Sequence, residues 1–467
     1  MKMNSTTSTA RYSSSWLILA VIASIASVSL LATPHYIYSI LPAIGLFFLL
    51  FMGKFPQIGY YAIAFMIPFG AFRGSLPWAI AAVLIVMTLL KFVLEKSITS
   101  RLKSPLWPLL LCFILVNLIS SVKSEFSEYA LKNVLLLVIG YTFTALGMIF
   151  LSKNDFVNYF PKTLVISIAI SSSMAVVGYF FKVGAFSYIS TEETEVRATG
   201  GSIDPNLMSL MVIFCIPIAV NWLLNAQRFL ERVFIFGVLG IYGLAIMSTF
   251  SRTGALVFLI TIALLLKTHA KKLKPTHWGF AVFVAVATIC AVIYTTPADY
   301  WDRLKSVTSK EDKAIKRRQS YLTVAKVAVK EHPVVGSGTG TFRDIFKTTD
   351  YARMFQSKDV EDEITMRRYA HNTYVEHVVG SGIVGLGFFL AIIGMAYKSY
   401  QTAYNKFMLS ANVKMAEMIR TYQISLISLL CNLFFLSDIQ HKYFLLSLTL
   451  SQVALRLSGE VKEGEKG

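Results

Sequence analysis

The chain has 467 residues, 55% of them hydrophobic and only 15% charged, with a mean hydropathy of +0.60 and a formal net charge of +18. Its length alone would suggest about three soluble domains, but apolar runs of roughly 18 residues recur along it, each long enough to cross a hydrocarbon core of ~30 Å. A soluble assembly is excluded. So is a disulfide framework or a CxxC metal site, because Cys112, Cys215, Cys290 and Cys431 all fall inside apolar runs, far apart in sequence.

In chain order the predicted spans begin with residues 15–33, 36–53, 58–72, 77–94, 106–120, 135–151 and 163–181. Residues 206–224, 233–250, 254–266 and 280–294 follow, and then 371–390, 421–436 and 443–455. This reads as an all-α, polytopic integral membrane protein of about 12–14 transmembrane helices, some of them short or closely spaced. The first run has the basic flank of a signal peptide, but the second follows so closely that a retained signal-anchor is expected. Four regions are expected: an N-terminal bundle over 1–182, spans with arginine-bearing connections over 183–296, one long loop over 297–370 and C-terminal spans over 371–467.

The positive charge sorts by side. With the N-terminus inside, alternate connections collect Lys96, Arg101 and Lys103; Arg228 and Arg232; Lys267, Lys271, Lys272 and Lys274; and Lys398, Lys406 and Lys414. The other connections carry few: Arg73, Lys123, Arg197, Arg252 and Lys442. That is the positive-inside bias, and it predicts that both termini are cytoplasmic. The basic excess is therefore read as topology, not as nucleic-acid binding.

Two outer connections stand out. Residues 183–204 read "VGAFSYISTEETEVRATGGSID", and residues 297–370 form a loop long enough to be functional or independently structured. Within it, "KEDKAIKRRQSYLTVAKVAVKE" places Ile315, Tyr321, Leu322, Val324, Ala325 and Val329 at helical spacing, which predicts an amphipathic helix on the membrane surface. The following "HPVVGSGTGTF" predicts a tight turn. Residues 371–390, "HNTYVEHVVGSGIVGLGFFL", then form a helix running from outside to inside with His371 at its outer end.

On this topology three polar features share one side: the loop holding Arg197, the "SRTG" turn of Ser251 and Arg252, and His371. Zinc is disfavoured, because "HNTYVEH" is neither HExxH nor HxxEH, and His371, Glu376 and His377 point in three directions on a helix. His371 suits either a general base or a plain interfacial cap. As a base it would be kept neutral by the helix dipole, with Asn372 or Thr373 capping the helix. Glu376 is expected either to orient a partner or to pair with an arginine, because an unpaired carboxylate at that depth is costly. Ser381 and Gly385 form a small-xxx-small pair that predicts close helix packing. Arg252 and Arg197 can each grip phosphate bidentately or simply snorkel to the interface. Asp204 and Asn206, after the Gly200–Gly201 turn, suit helix caps or substrate contacts.

Together "RATGGSIDPN", "SRTG", the stretch from "RRQSY" to "EHPVVGSGTGTF" and "HNTYVEHVVGSGIVG" resemble the O-antigen ligase and polymerase superfamily, over roughly residues 195–390. The resemblance implies a GT-C-like membrane glycosyltransferase of the bacterial inner membrane, working at the periplasmic face without metal or other cofactor. It implies an undecaprenyl-diphosphate-linked glycan as donor and a glycan or lipid A-core as acceptor, with membrane lipid around it. It further implies that Arg197 and Arg252 hold the pyrophosphate and that His371 activates the acceptor hydroxyl. Arg317 matches an arginine that precedes an aromatic residue by four, here Tyr321 where tryptophan is commoner. Two other readings stand beside it: transfer of the glycan to protein, and a flippase of the same lipid-linked glycan. Transporters keep ionisable groups near the bilayer midplane, whereas the notable charges here gather at one face, which favours the enzyme.

Overall fold

The computed structural model describes residues 51–72, 74–94, 97–189, 196–270, 313–354, 366–438 and 441–461. The expected spans at 15–33 and 280–294, and almost all of the one at 36–53, lie outside these residues. The chain divides into two compact units, one of residues 1–63 and 75–95 and one of 64–74 and 96–467. In the first, α1 (Pro56–Phe65) and α2 (Leu76–Leu94) approach closely at Gly59, where a Cβ would lie 3.1 Å from the Leu84 side chain.

The second unit is a helical bundle, consistent with the all-α class. Its elements are α3 (Ser97–Arg101), α4 (Leu106–Val122), α5 (Ser127–Phe150), α6 (Phe160–Phe180), α7 (Pro205–Asn225), α8 (Phe229–Ser248) and α9 (Arg252–His269). After them come α10 (Lys313–Glu331), α11 (Phe342–Lys347), α12 (Asp350–Met354), α13 (Thr373–Leu409), α14 (Val413–Leu433) and α15 (Lys442–Gly459). One antiparallel ribbon interrupts the helices: β1 (Ser187–Ile189) pairs with β2 (Val196–Ala198), setting Tyr188 opposite Arg197.

Among the described residues, six helical stretches are long and apolar enough to cross a membrane: Ser127–Phe150, Asp155–Phe180, Pro205–Asn225, Phe229–Ser248, Arg252–His269 and Thr373–Leu409. The predicted span at 58–72 is corrected. Helix α1 stops at Phe65 and gives way to a 3-10 turn at Ile67–Phe69, and ten helical residues reach only about 15 Å. Helices α14 and α15 are less apolar because they form the interior of the bundle. Their polar groups pair inside it: Ser104 Oγ donates to Gln452 Oε1 at 2.8 Å, and Gln452 Nε2 donates to Ser399 Oγ at 3.1 Å. At the carbonyl end of α5, Arg101 donates to Ile149 O at 2.7 Å and Arg456 to Met148 O, placing two cations on the negative pole of that helix.

The predicted amphipathic helix is present as α10; part of its apolar face is covered by protein, while Leu322 stays exposed. Tyr321, Val324, Ala325 and Ala328 pack against Phe342, Phe346 and Val379, so the loop has a small core of its own. The reason is composition: α11 supplies two phenylalanines one turn apart, enough to cover that part of the face.

The predicted tight turn does more than reverse the chain. Helix α13 breaks at Ser381 (φ −128°, ψ 15°) and Gly382 (φ 66°, ψ −170°), leaving a helical stub of residues 373–380 ahead of the long span. The turn fills that break. Ser337 N–H donates to Val379 O (2.8 Å) and Gly338 N–H to Gly380 O (2.9 Å), while Ile383 N–H donates to Pro333 O (2.9 Å). Helix α4 closes the joint, with Ser120 Oγ donating to Gly380 O at 2.6 Å and Asn117 Oδ1 accepting from Thr339 Oγ1 at 2.7 Å. Gly385 lies against α4 at this joint, as expected of a close helix contact: a Cβ there would come within 3.7 Å of the Val116 side chain. A Cβ there would meet Ser381 Oγ at 2.0 Å, because the Ser381 side chain folds back along its own helix to donate to His377 O at 2.9 Å.

This joint gives a stability test. A Cβ at Gly382 would lie 2.2 Å from Val334 O, with backbone in the left-handed region, whereas Gly387 has nothing within 4 Å. Gly382→Ala should lower the midpoint of thermal unfolding in detergent, by an amount worth roughly 2 kcal/mol or more. Gly387→Ala should leave it unchanged or raise it; equal midpoints would mean the joint is not stabilising.

Candidate functional site

Three helix starts meet at one end of the bundle, each capped by a short polar side chain. Asp204 Oδ1 accepts from Asn206 N–H (2.7 Å) and Leu207 N–H (3.0 Å) at α7. Ser251 Oγ accepts from Gly254 N–H (3.0 Å) at α9. Asn372 Oδ1 accepts from Tyr374 N–H (3.0 Å) and Val375 N–H (3.1 Å) at α13. These are ordinary N-caps, each satisfying amides the helix leaves open.

The first two starts are tied together through Arg197. Its Nε donates to Thr249 O at 2.9 Å and its guanidinium reaches Asn206 Oδ1 at 3.4 Å, while Ser251 Oγ donates to the same Asn206 oxygen at 2.9 Å. Arg197, Asn206 and Ser251 thus form one network beside the Asp204 cap. Arg252 opens α9 next to Ser251, with its side chain on the exposed surface.

The third start carries His371, which combines solvent access with crowded surroundings. Burial of the ring pushes its imidazole below the usual histidine range; the Asp204 carboxylate opposes this, and the Arg318, Arg368 and Arg317 guanidiniums add to it. The ring lies 5.9 Å, centroid to centroid, from Tyr321, which in turn packs on Phe346 at 5.1 Å. Arg318 sits above the Phe435 ring at 6.0 Å. The structure therefore brings His371, Asp204, Arg317 and Tyr321 together from three distant stretches of sequence.

His371 adopts φ 50°, the left-handed region that costs a non-glycine residue about 1–2 kcal/mol. Its neighbours hold the turn. Asn372 N–H donates to Ser437 Oγ (3.2 Å), Thr373 Oγ1 to Leu436 O (2.6 Å), and Ala370 N–H to Glu376 Oε1 (2.8 Å). Glu376 thus binds a backbone amide, and the Ser437 side chain and the Arg343 charge also act on it, so both of its expected roles keep a partner. His377 faces away, packed on Phe389 at 4.1 Å and Phe113 at 5.5 Å, so it shares no site with His371.

Nothing in its own type singles out Arg368, and Leu436 and Ser437 lie at the end of a predicted span and just past it. Arg368 stands in "MRRYAHN", three residues before His371, and that proximity in the chain is the one signal that points to it. The wall formed by residues 434–438 has no such signal.

The electrostatics give a signed test. Asp204→Asn keeps an N-cap but removes the charge that favours imidazolium, so the protonation midpoint of His371 should fall further. Arg368→Gln removes an opposing charge, and the midpoint should rise. Histidine NMR of the selectively labelled protein in detergent measures both; shifts of the same sign would contradict the arrangement.

Residues 235–390 match the family model described as O-Antigen ligase. The match takes in Arg252, Arg317, Arg318, Arg368, His371 and Glu376, and leaves Arg197, Asp204 and Asn206 outside. No curated protein matches the chain. The match covers about a third of the chain, and over that stretch the chain is similar to O-antigen ligases.

Proposed function

We propose that the protein transfers a glycan from a polyprenyl diphosphate, undecaprenyl diphosphate in a bacterial inner membrane, to an acceptor hydroxyl at the periplasmic face. The observation that carries this reading is the convergence of Arg317, Arg318 and Arg368 on a histidine held towards its neutral form. A neutral imidazole accepts a proton near pH 7, and guanidiniums bind phosphate oxygens bidentately.

The step is a single displacement. His371 takes the proton of the acceptor hydroxyl as its oxygen bonds to the anomeric carbon. The bond between that carbon and the diphosphate oxygen breaks, and the electron pair leaves with the diphosphate. The arginines stabilise the charge that builds on this leaving group. Attack opposite the leaving group inverts the anomeric centre. Arg197 and Arg252 extend the basic surface on the α7 and α9 side, although Arg197 is already engaged by Thr249 O and Asn206. The reading calls on no cofactor and assigns charge neutralisation to the chain's own arginines. It puts both termini in the cytoplasm.

The test is transfer in proteoliposomes supplied with a polyprenyl-diphosphate-linked oligosaccharide. His371→Ala should lose ~10²–10⁴-fold in rate while still binding donor, and in cells the lipid-linked glycan should accumulate on the outer leaflet. Arg318→Gln and Arg368→Gln should weaken donor binding, and strong chelation should leave the wild-type rate unchanged. Wild-type transfer by His371→Ala, or accumulation on the inner leaflet as for a flippase, would overturn the proposal. The acceptor is read from a deletion strain: one repeat left on lipid A-core marks a polymerase, and complete loss of glycan from the core marks a ligase.

A further inference from the structure

Glu376 is a fully buried carboxylate, 1% exposed, one turn inside the stub that follows His371. Burial of such a group in an apolar bundle is unfavourable, so its hydrogen-bond partners indicate what retains it. Its partners, the Ala370 amide and the Ser437 side chain, are not in the helix. Asn372 already caps the helix by taking the amides of Tyr374 and Val375. Glu376 Oε1 instead reaches back past the cap to Ala370 N–H at 2.8 Å, on the far side of His371. The carboxylate and the cap thus grip the chain on either side of one residue, and that residue is in the left-handed region, φ 50°. Ser437 Oγ adds a third restraint by accepting from Asn372 N–H at 3.2 Å.

We infer that Glu376 is the positioning residue of His371: by fixing the Ala370 peptide it fixes the left-handed turn that aims the imidazole among the arginines. The inference rests on the reading of His371 as the base. Glu376 touches no reacting atom. What the turn requires is an acceptor oxygen at that depth, so an amide oxygen serves as well as a carboxylate. An apolar side chain of the same length frees the Ala370 amide, and the turn loses the restraint that selects its conformation. The chain then samples ordinary φ values, which swing the imidazole out of the arginine cluster.

The experiment is a double-mutant cycle in full-length protein, with transfer rate, donor KM and melting temperature measured for each variant. Glu376→Gln should stay within a few-fold of wild type. Glu376→Met should lose about 10–10²-fold in kcat, below the ceiling set by the base itself, with little change in donor KM. The acid limb of its pH–rate profile should flatten. Placed on His371→Ala, Glu376→Met should cause no further loss, because both changes remove one function. If Glu376→Met fails to fold, Ser437→Ala reads the same turn from the surface side: a loss of several-fold in wild type and none on His371→Ala. Losses that multiply, or a Glu376→Gln as impaired as Glu376→Met, would overturn the inference. Normal transfer by His371→Ala would instead overturn the base reading beneath it.

Discussion

The site depends on one backbone joint. Where α13 breaks at Ser381 and Gly382, the carbonyls of Val379 and Gly380 lose their helical donors, and in an apolar bundle they must find others. The amides of Ser337 and Gly338 supply them, and Ser120 on α4 completes the set. Gly336, Gly338 and Gly340 all have positive φ, and a Cβ at Gly336 would lie 2.5 Å from the Gly380 backbone. Glycine is what lets two main chains come this close. The same joint separates the stub of residues 373–380 from the span behind it. It also anchors the loop whose helix α10 presents Arg317 and Arg318. A stub that carries the histidine and a loop that carries two arginines are thus hydrogen-bonded to each other.

From this follows the character of the site. Guanidiniums from α10 and from the segment before the stub face a half-crowded imidazole, and the chief opposing charge on it is Asp204. Guanidiniums gathered around a histidine suit an anionic ligand whose charge grows during reaction. Local strain is placed at the same spot: His371 and Phe250 both have φ 50°, and each directly precedes the cap of a helix that opens at this end. The two left-handed turns let the chain enter its helix abruptly, so the residue before the cap is not wound into the helix.

Much of this was legible in the sequence because it depends on local chemistry. Asp204, Ser251 and Asn372 are short polar residues just ahead of apolar runs, and all three cap helices. The period of α10 was also legible, but periodicity identifies an apolar face and not what covers it. The phenylalanines of α11 cover part of that face, and Leu322 is left exposed. The Ser381–Gly385 spacing marked the close approach to α4, but not that Ser381 itself would occupy the space beside the glycine. Arg368 gave little signal because arginine in a charged loop is ordinary, and the Ala370 partner of Glu376 gave none because it is a backbone amide. Long-range pairings between main-chain groups leave no trace in side-chain patterns.

The central claim is that the arginines around His371 hold the leaving diphosphate while the histidine faces the acceptor. The most direct measurement is a cryo-electron microscopy map of the His371→Ala protein in nanodiscs with a polyprenyl-diphosphate-linked oligosaccharide bound. The account predicts both phosphorus atoms within contact of the Arg317, Arg318 and Arg368 guanidiniums, with the anomeric carbon turned toward position 371. Diphosphate density at the opposite end of the bundle, or at this end with the sugar turned away from position 371, would contradict it.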